Sequence, residues 1–137
     1  MKSNHIFLSL ATLTMLLFTA CNSEAQNTSH SQISSGNSAI EVLQFHSERR
    51  CMTCNKIEEL ILETLKSYSS IQFSLVNVDE KKNEKKAEEF EATGTAIFLY
   101  NPKTGEKKDL TDFAFMNAGN SDKFIAGLKR EIELFRN

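Results

Sequence analysis

From residue 40 onward, apolar side chains recur with two different periods, and the change from one period to the other predicts the order of elements. The first stretch is a short apolar strand: Ile40, Val42, Leu43 and Phe45. Over about 52–69 apolar residues return every three or four positions, as on an amphipathic helix: Ile57, Leu60, Ile61, Leu65 and Tyr68. Residues 71–78 alternate apolar with polar and then become continuously apolar, which predicts a second strand. A strand, a long helix and a strand form a crossover unit, which favours parallel pairing of the two strands.

The next segment predicts a peripheral helix followed by a β-hairpin. Residues 81–92 are mostly Glu and Lys, so we expect a solvated helix that ends at Gly94. The apolar positions of this helix are Ala87, Phe90 and Ala92. Residues 96–100 are an unbroken apolar run, typical of a strand that is covered on both faces. The turn at 101–105 contains Pro and Gly, and the polar segment 106–110 is expected to return as an edge strand.

The C-terminal region predicts a short helical turn at 111–116 and a final helix capped by Ser121. One face of the final helix is apolar: Phe124, Ile125, Leu128, Ile132 and Phe135. We interpret the methionine and aromatic side chains of this region as core. The predicted order is therefore β-α-β-α-β-β-α, an α/β domain spanning about 39–137.

The N-terminal residues differ in composition from this domain. Residues 1–20 hold one lysine followed by an apolar run that is short for a permanent membrane span, which predicts an export signal. The run Phe18-Thr19-Ala20-Cys21 resembles a bacterial lipoprotein lipobox. The resemblance implies that Cys21 is acylated and becomes the new N-terminus. The alternative is an ordinary signal peptide with a chance cysteine. Residues 21–38 would then be the lipidated cysteine and a flexible tether rich in Ser, Asn and Gln.

Charge and composition exclude several classes of partner. The chain has 16 basic and 18 acidic side chains and no evident basic patch, so we expect no nucleic acid partner. The domain has no glycine-rich phosphate-binding loop and nothing that indicates a flavin site, so we expect no cofactor. We also expect a monomer. The predicted signal and lipid anchor place the domain outside the cytosol, on the periplasmic or cell-surface face of a bacterial membrane, where disulfides can persist.

Cysteine chemistry is the main functional signal in the chain. There are three cysteines, and acylation of Cys21 would leave Cys51 and Cys54 as the only pair. This Cys-x-x-Cys lies where the first strand gives way to the helix. Because the first N–H groups of a helix are unpaired and its dipole favours negative charge, we expect Cys51 to be stabilised as a thiolate. Cys54 lies one turn further on and should be more covered. We therefore predict that Cys51 attacks a partner's disulfide and that Cys54 resolves the mixed disulfide.

Two neighbours of the pair are candidates for tuning the thiolate. Arg50 would stabilise the Cys51 thiolate by its charge, and His46 could tune the thiolate or shuttle a proton, although a core or surface histidine is an equal alternative. Other interpretations of the pair stay open. A structural zinc site needs about four ligands, and His46 is the single further candidate. Two inert buried cysteines are another possibility, and a soft metal such as Cu(I) would find thiolates with Met52 and His46 nearby.

The order of elements, with Cys-x-x-Cys after the first strand, resembles the thioredoxin fold over 39–137. Segment 75–80 and the apolar positions Ala87 and Phe90 resemble the second strand of thioredoxins and the helix after it. More narrowly, Phe45-His46 leading to Arg50-Cys51-Met52-Thr53-Cys54 is similar to a small bacterial thioredoxin-like family labelled nitrophenyl compound nitroreductase subunit, ArsF family. The resemblance implies a thioredoxin-like fold, with a mixed central sheet flanked by helices, that exchanges disulfides with partner proteins.

The sequence also departs from thioredoxins. The cis-proline that thioredoxins carry beside the active cysteines falls here on Thr95 or Ala96, and the chain's one proline, Pro102, lies beyond the strand. The residues between the cysteines are Met52-Thr53, and the loop before them is one residue longer. We therefore predict a membrane-tethered, extracytoplasmic thiol–disulfide oxidoreductase that passes electrons to or from an unidentified protein. Soft-metal delivery and a redox-inert binding module are the alternatives, and we do not adopt nitro reduction.

Overall fold

The computed structural model describes residues 40–137. Its elements are β1 (Glu41–His46), α1 (Met52–Leu65), β2 (Gln72–Asn77), a 3₁₀ turn (Lys81–Asn83), α2 (Glu84–Glu89), β3 (Ala96–Tyr100), β4 (Lys107–Asp109), α3 (Thr111–Asn117) and α4 (Ser121–Arg136). The predicted order is confirmed, and the expected helical turn at 111–116 is α3. None of the helices in 40–137 is long and apolar enough to cross a bilayer. The predicted export signal, the lipidation of Cys21 and the tether at 21–38 lie outside the described residues.

The four strands form one mixed sheet in the order β2-β1-β3-β4. The predicted parallel pairing of β1 with β2 is confirmed, and β3 runs antiparallel to both β1 and β4. Phe45, near the end of β1, lies opposite Ala96 at the start of β3. The loop that follows β1 and the residue that precedes β3 therefore meet at the same end of the sheet.

Helices cover both faces of the sheet. One apolar cluster joins α1, α3 and α4 to the first face through buried residues that include Val42, Ile57, Ile61, Leu99, Leu128 and Ile132. The other face packs against the end of α2 through Leu43, Phe45, Val76, Phe90, Ala92 and Phe98. Since successive side chains of a strand point to opposite faces, β1 supplies both clusters and is the centre of the fold.

An aromatic cluster holds the peripheral helix in place. The ring centroid of Phe90 lies 5.1 Å from those of Phe98 and Tyr100 and 5.3 Å from that of Phe45. The prediction that Phe90 packs against the domain is confirmed. The prediction that Gly94 ends the helix is wrong, because the chain leaves α2 four residues earlier. Glu91 adopts a left-handed conformation with φ 53°, and the Ala92 N–H donates to the Ala87 carbonyl at 2.9 Å, which closes the helix end.

Two other helix ends and part of the predicted core also differ from expectation. The first helix stops at Leu65 rather than near residue 69, and tight turns follow it. Asn120, not Ser121, caps the final helix, since the Asn120 side chain accepts from the Lys123 N–H at 3.0 Å. The core assignment of the C-terminal methionine and aromatic residues is wrong for Phe115 and Met116, which are exposed.

Gly127 is expected to be required where α4 crosses α3. A Cβ at this position would lie 2.5 Å from Cε2 of Phe113, so the ring would have to move. Alanine favours a helix over glycine by about 1 kcal/mol, yet we expect Gly127→Ala to lower the free energy of unfolding by roughly 1–2 kcal/mol net. Urea denaturation followed by circular dichroism measures this. The control is Gly119→Ala, where nothing lies within 4 Å of the added Cβ. A Gly127→Ala protein as stable as the wild type would contradict the predicted clash.

Candidate active site

Cys51 is the N-cap of α1. Its backbone is extended, with φ −83° and ψ 160°, and its Sγ accepts a hydrogen bond from the Cys54 N–H at 3.1 Å. The sulfur thus takes the place of the oxygen that usually caps a helix, and it lies at the positive end of the helix dipole. The predicted position of Cys51 at the helix start is confirmed. A thiolate formed here would keep a backbone hydrogen-bond donor.

Cys51 and Cys54 form a disulfide, with their Cα atoms 5.1 Å apart. The two residues differ sharply in access to solvent, since Cys51 is exposed and Cys54 is only 4% exposed. The prediction that Cys54 is the more covered residue is confirmed. Met52, between them, is 88% exposed. A sulfur atom of another molecule can therefore approach the pair most directly at Cys51.

Gln44 is a site residue that the sequence reading missed. It is completely buried in β1, and its Nε2 donates to the backbone carbonyl of Cys54 at 2.9 Å. Its Oε1 is buried and has no hydrogen-bond partner within residues 40–137. Burying an amide group costs free energy unless all its polar atoms are hydrogen-bonded. Gln44 therefore fixes the Cys54 carbonyl through Nε2, while its unpaired Oε1 lowers the stability of the fold. The available signal is an amide side chain between apolar neighbours in the strand.

Thr95, the residue before β3, contacts the covered sulfur. Its Oγ1 lies 3.3 Å from Cys54 Sγ. Thr95 and Ala96 are equal candidates from sequence for the position of the absent cis-proline, and the structure places Thr95 against the pair. No peptide bond within residues 40–137 is cis. A hydroxyl group thus lies beside Cys54, where thioredoxins carry a proline.

Arg50 pairs with a carboxylate that the sequence reading did not consider. Its Nη2 lies 2.5 Å from Oε2 of Glu58, and the two side chains are 24% and 9% exposed. Glu58 is on α1, one turn after Cys54. Nε of Arg50 is also buried and has no hydrogen-bond partner within the described chain. Because Glu58 balances its charge, the action of Arg50 on the Cys51 thiolate stays a prediction.

His46 is the last residue of β1, and the loop that leads to the pair follows it. Its Nδ1 lies 2.8 Å from the Ser47 carbonyl oxygen, which can only accept, so Nδ1 carries the proton in this contact. The Glu48 N–H donates to Oδ2 of Asp79 at 2.7 Å and ties the same loop to the segment after β2. A role for His46 at the sulfur atoms stays a prediction. Across residues 40–137, no three His, Cys, Asp or Glu side chains are grouped to hold a metal ion.

A pocket of about 680 Å³ opens beside Thr95. It lies between the segment linking α2 to β3 and the start of α3, and it is lined partly by Thr95 and Ala96. Three carboxylate residues also line it: Glu91, Asp109 and Asp112. Asp109 is partly committed, because its Oδ1 accepts from the Thr111 N–H at 2.7 Å. Thr95 thus contacts the covered sulfur and also lines this acidic recess.

The strand order, the strand directions and the Cys-x-x-Cys at the start of α1 make the fold thioredoxin-like. Among solved structures, the chain is similar to the oxidised form of mitochondrial thioredoxin 3 from Saccharomyces cerevisiae, with 20% identity and a TM-score of 0.42. That match covers 53% of this chain and 64% of the yeast chain, which is less than two thirds of it. A structure described as a malarial protein has 25% identity and a TM-score of 0.41, covering 58% of this chain and 94% of that one. No protein-family profile matches the chain, and no curated protein is significantly similar to it.

Proposed function

We propose that this chain is a thiol–disulfide exchange protein that uses Cys51 and Cys54 to pass electrons to or from a partner protein. The observation that carries the proposal is the asymmetric disulfide at the start of α1. One sulfur is exposed and caps the helix, whereas the other is covered and lies beside a hydroxyl group. This is the arrangement that two successive exchange steps require, because one thiol must be reached by the partner and the other must be kept close behind it.

The exchange proceeds in two balanced steps. In the reduced chain, the Cys51 thiolate attacks one sulfur of the partner's disulfide, and the other partner sulfur leaves with the bonding electron pair and takes up a proton. Cys54 then loses its proton to solvent and attacks Cys51 Sγ in the mixed disulfide. The Cys51–Cys54 bond forms, the bond to the partner breaks, and the second partner thiol is released. Two electrons pass to the partner, and the reverse sequence oxidises a partner dithiol.

The chain's own residues support each step. The Cys54 N–H donates to Cys51 Sγ and stabilises negative charge on the attacking atom. Gln44 holds the Cys54 carbonyl, so the first turn of α1 keeps its position against β1. The hydrogen bond from the Glu48 N–H to Asp79 holds the loop before Cys51 against the segment after β2.

We further propose that the domain acts outside the cytosol, held to a membrane by a lipid on Cys21 and a tether at 21–38. The support is the apolar run and the lipobox-like residues before Cys21. An extracytoplasmic compartment is also where a disulfide between Cys51 and Cys54 can persist. The partner in this proposal is a protein disulfide or dithiol near the membrane surface.

The reduction potential of the purified full chain tests the exchange function. The chain would be equilibrated in glutathione buffers and its free thiols trapped and counted by mass spectrometry, with metal content measured on the same sample. We expect one two-electron transition, with a midpoint in the range of roughly −270 to −120 mV found for exchange proteins. The control is a chain with both cysteines of the pair replaced by serine. Failure to form the disulfide, together with stoichiometric copper or zinc, would replace exchange by metal handling.

A further inference from the structure

The covered sulfur of Cys54 has a polar side-chain neighbour, the hydroxyl group of Thr95. Thr95 Oγ1 lies 3.3 Å from Cys54 Sγ. A disulfide sulfur carries no hydrogen, so the hydroxyl is the donor in this contact. The neighbouring amide donors are committed elsewhere, since Gln44 Nε2 donates to the Cys54 carbonyl and the Cys54 N–H donates to Cys51 Sγ. Thr95 is therefore well placed to donate to the Cys54 sulfur in either redox state.

The fold holds this hydroxyl in place from two directions. On one side, the Ala92 N–H donates to Ala87 and fixes the exit from α2. On the other side, the Ile97 N–H donates to Oγ1 of Thr111 at 3.0 Å, which anchors the start of β3. Ala96 is paired opposite Phe45, so Thr95 lies at the end of the sheet where β1 ends. The loop from β1 to α1 leaves the sheet at the same end. The contact thus arises from the register of the sheet.

We propose that Thr95 is a positioning residue that stabilises the Cys54 thiolate and so promotes the second step of exchange. The proposal rests on the proposed exchange function. Cys54 is 4% exposed, so its thiolate has little water around it and depends on donors from the protein. A hydrogen bond to an ionised acceptor is roughly twice as strong as one to a neutral acceptor. The hydroxyl therefore favours the thiolate over both the thiol and the disulfide.

In the second step the Thr95 hydroxyl keeps its own proton throughout. Cys54 releases its proton to solvent, the thiolate attacks Cys51 Sγ, and the partner sulfur leaves with the electron pair. A more stable thiolate is a weaker nucleophile, but the two effects differ in size. A tenfold larger thiolate fraction is offset by only about a threefold loss of intrinsic reactivity. The net effect of the hydroxyl is a faster second step at neutral pH.

The test uses the reduced full chain, mixed with glutathione disulfide and quenched with acid at successive times. The mixed disulfide between Cys51 and glutathione is counted by mass spectrometry across a range of pH. In Thr95→Val, which keeps the side-chain shape and removes the hydroxyl, we expect the midpoint of the pH profile for the second step to rise by about one pH unit. At neutral pH that step should slow about threefold, and the mixed disulfide should accumulate. Thr95→Ser, which keeps the hydroxyl, should restore the wild-type profile.

The possible results distinguish failure of the Thr95 role from failure of the exchange function. If the wild-type chain forms no mixed disulfide and no intramolecular disulfide, the exchange function fails and the inference fails with it. If the wild type exchanges but Thr95→Val has the same pH profile, or Thr95→Ser behaves like the valine variant, the role of the hydroxyl is wrong while exchange stands. Thermal unfolding of each oxidised variant is measured in parallel, and Thr95→Ala replaces the valine variant if that protein does not fold. A purely structural role would change stability without moving the pH midpoint.

Discussion

Replacing Cys51 by serine is expected to abolish exchange, whereas replacing Cys54 by serine is expected to trap the chain in mixed disulfides. The difference follows from access, since Cys51 is exposed at the helix start and Cys54 is covered. A serine at 51 leaves no accessible thiolate to attack a partner, and exchange should fall to the uncatalysed background. A serine at 54 leaves the first step intact and removes the sulfur that completes the second. The rate of reduction of a disulfide-linked peptide measures the loss.

Trapping is measured in cells by non-reducing gels of the Cys54→Ser protein. We expect higher-mass species that disappear on reduction and that require Cys51. The matched control is Thr53→Ser, which changes a neighbouring exposed residue and leaves both thiols in place. If the wild type exchanges freely while Cys54→Ser traps nothing, the assignment of roles is wrong. If only Cys51→Ser traps partners, the two roles are reversed.

The sequence predicts the fold more completely than the site. Hydrophobic periods locate the elements because helices and strands repeat their buried positions differently, and the Cys-x-x-Cys spacing identifies the reactive pair. The sequence does not predict which residue contacts Cys54. Whether Thr95 or Ala96 lies against the sulfur depends on the register of β3 on β1, and a slip of one residue would exchange the two faces. No local pattern contains that information.

The partners of Gln44 and Glu58 also cannot be predicted from the sequence. Each is a polar residue at a buried position, and the sequence can mark it only as an exception to the apolar pattern. What makes each residue relevant is a partner several residues away, the Cys54 carbonyl for Gln44 and the Arg50 guanidinium for Glu58. Such pairs form only when the loop before Cys51 and the first turns of α1 are folded against β1. Tertiary contacts therefore decide how the site is tuned.

Removing Arg50 is expected to destabilise the fold more than any other single change at a charged residue of the site. In Arg50→Met the Glu58 carboxylate, 9% exposed, loses its counter-charge. Leaving one member of a buried pair alone typically costs about 3–5 kcal/mol. Because Arg50 is 24% exposed and water can replace part of it, we expect about 2–3 kcal/mol. Urea denaturation of the oxidised chain measures the loss. Arg49→Met, at an exposed neighbouring position, is the control and should change stability little.

The same pair also tests whether Arg50 acts on the thiolate, because its two single variants should change stability in the same direction and the exchange rate in opposite directions. Arg50→Met and Glu58→Gln both break the pair, so both should lower the free energy of unfolding. Only the first removes a positive charge near Cys51, whereas the second removes a negative one, so exchange at Cys51 should slow in Arg50→Met and quicken in Glu58→Gln. In the double variant Arg50→Met with Glu58→Leu, stability should recover, since a buried pair can be replaced by apolar side chains at little cost. If both single variants change the exchange rate in the same direction as stability, the pair only supports the fold, and the helix N-terminus alone stabilises the thiolate.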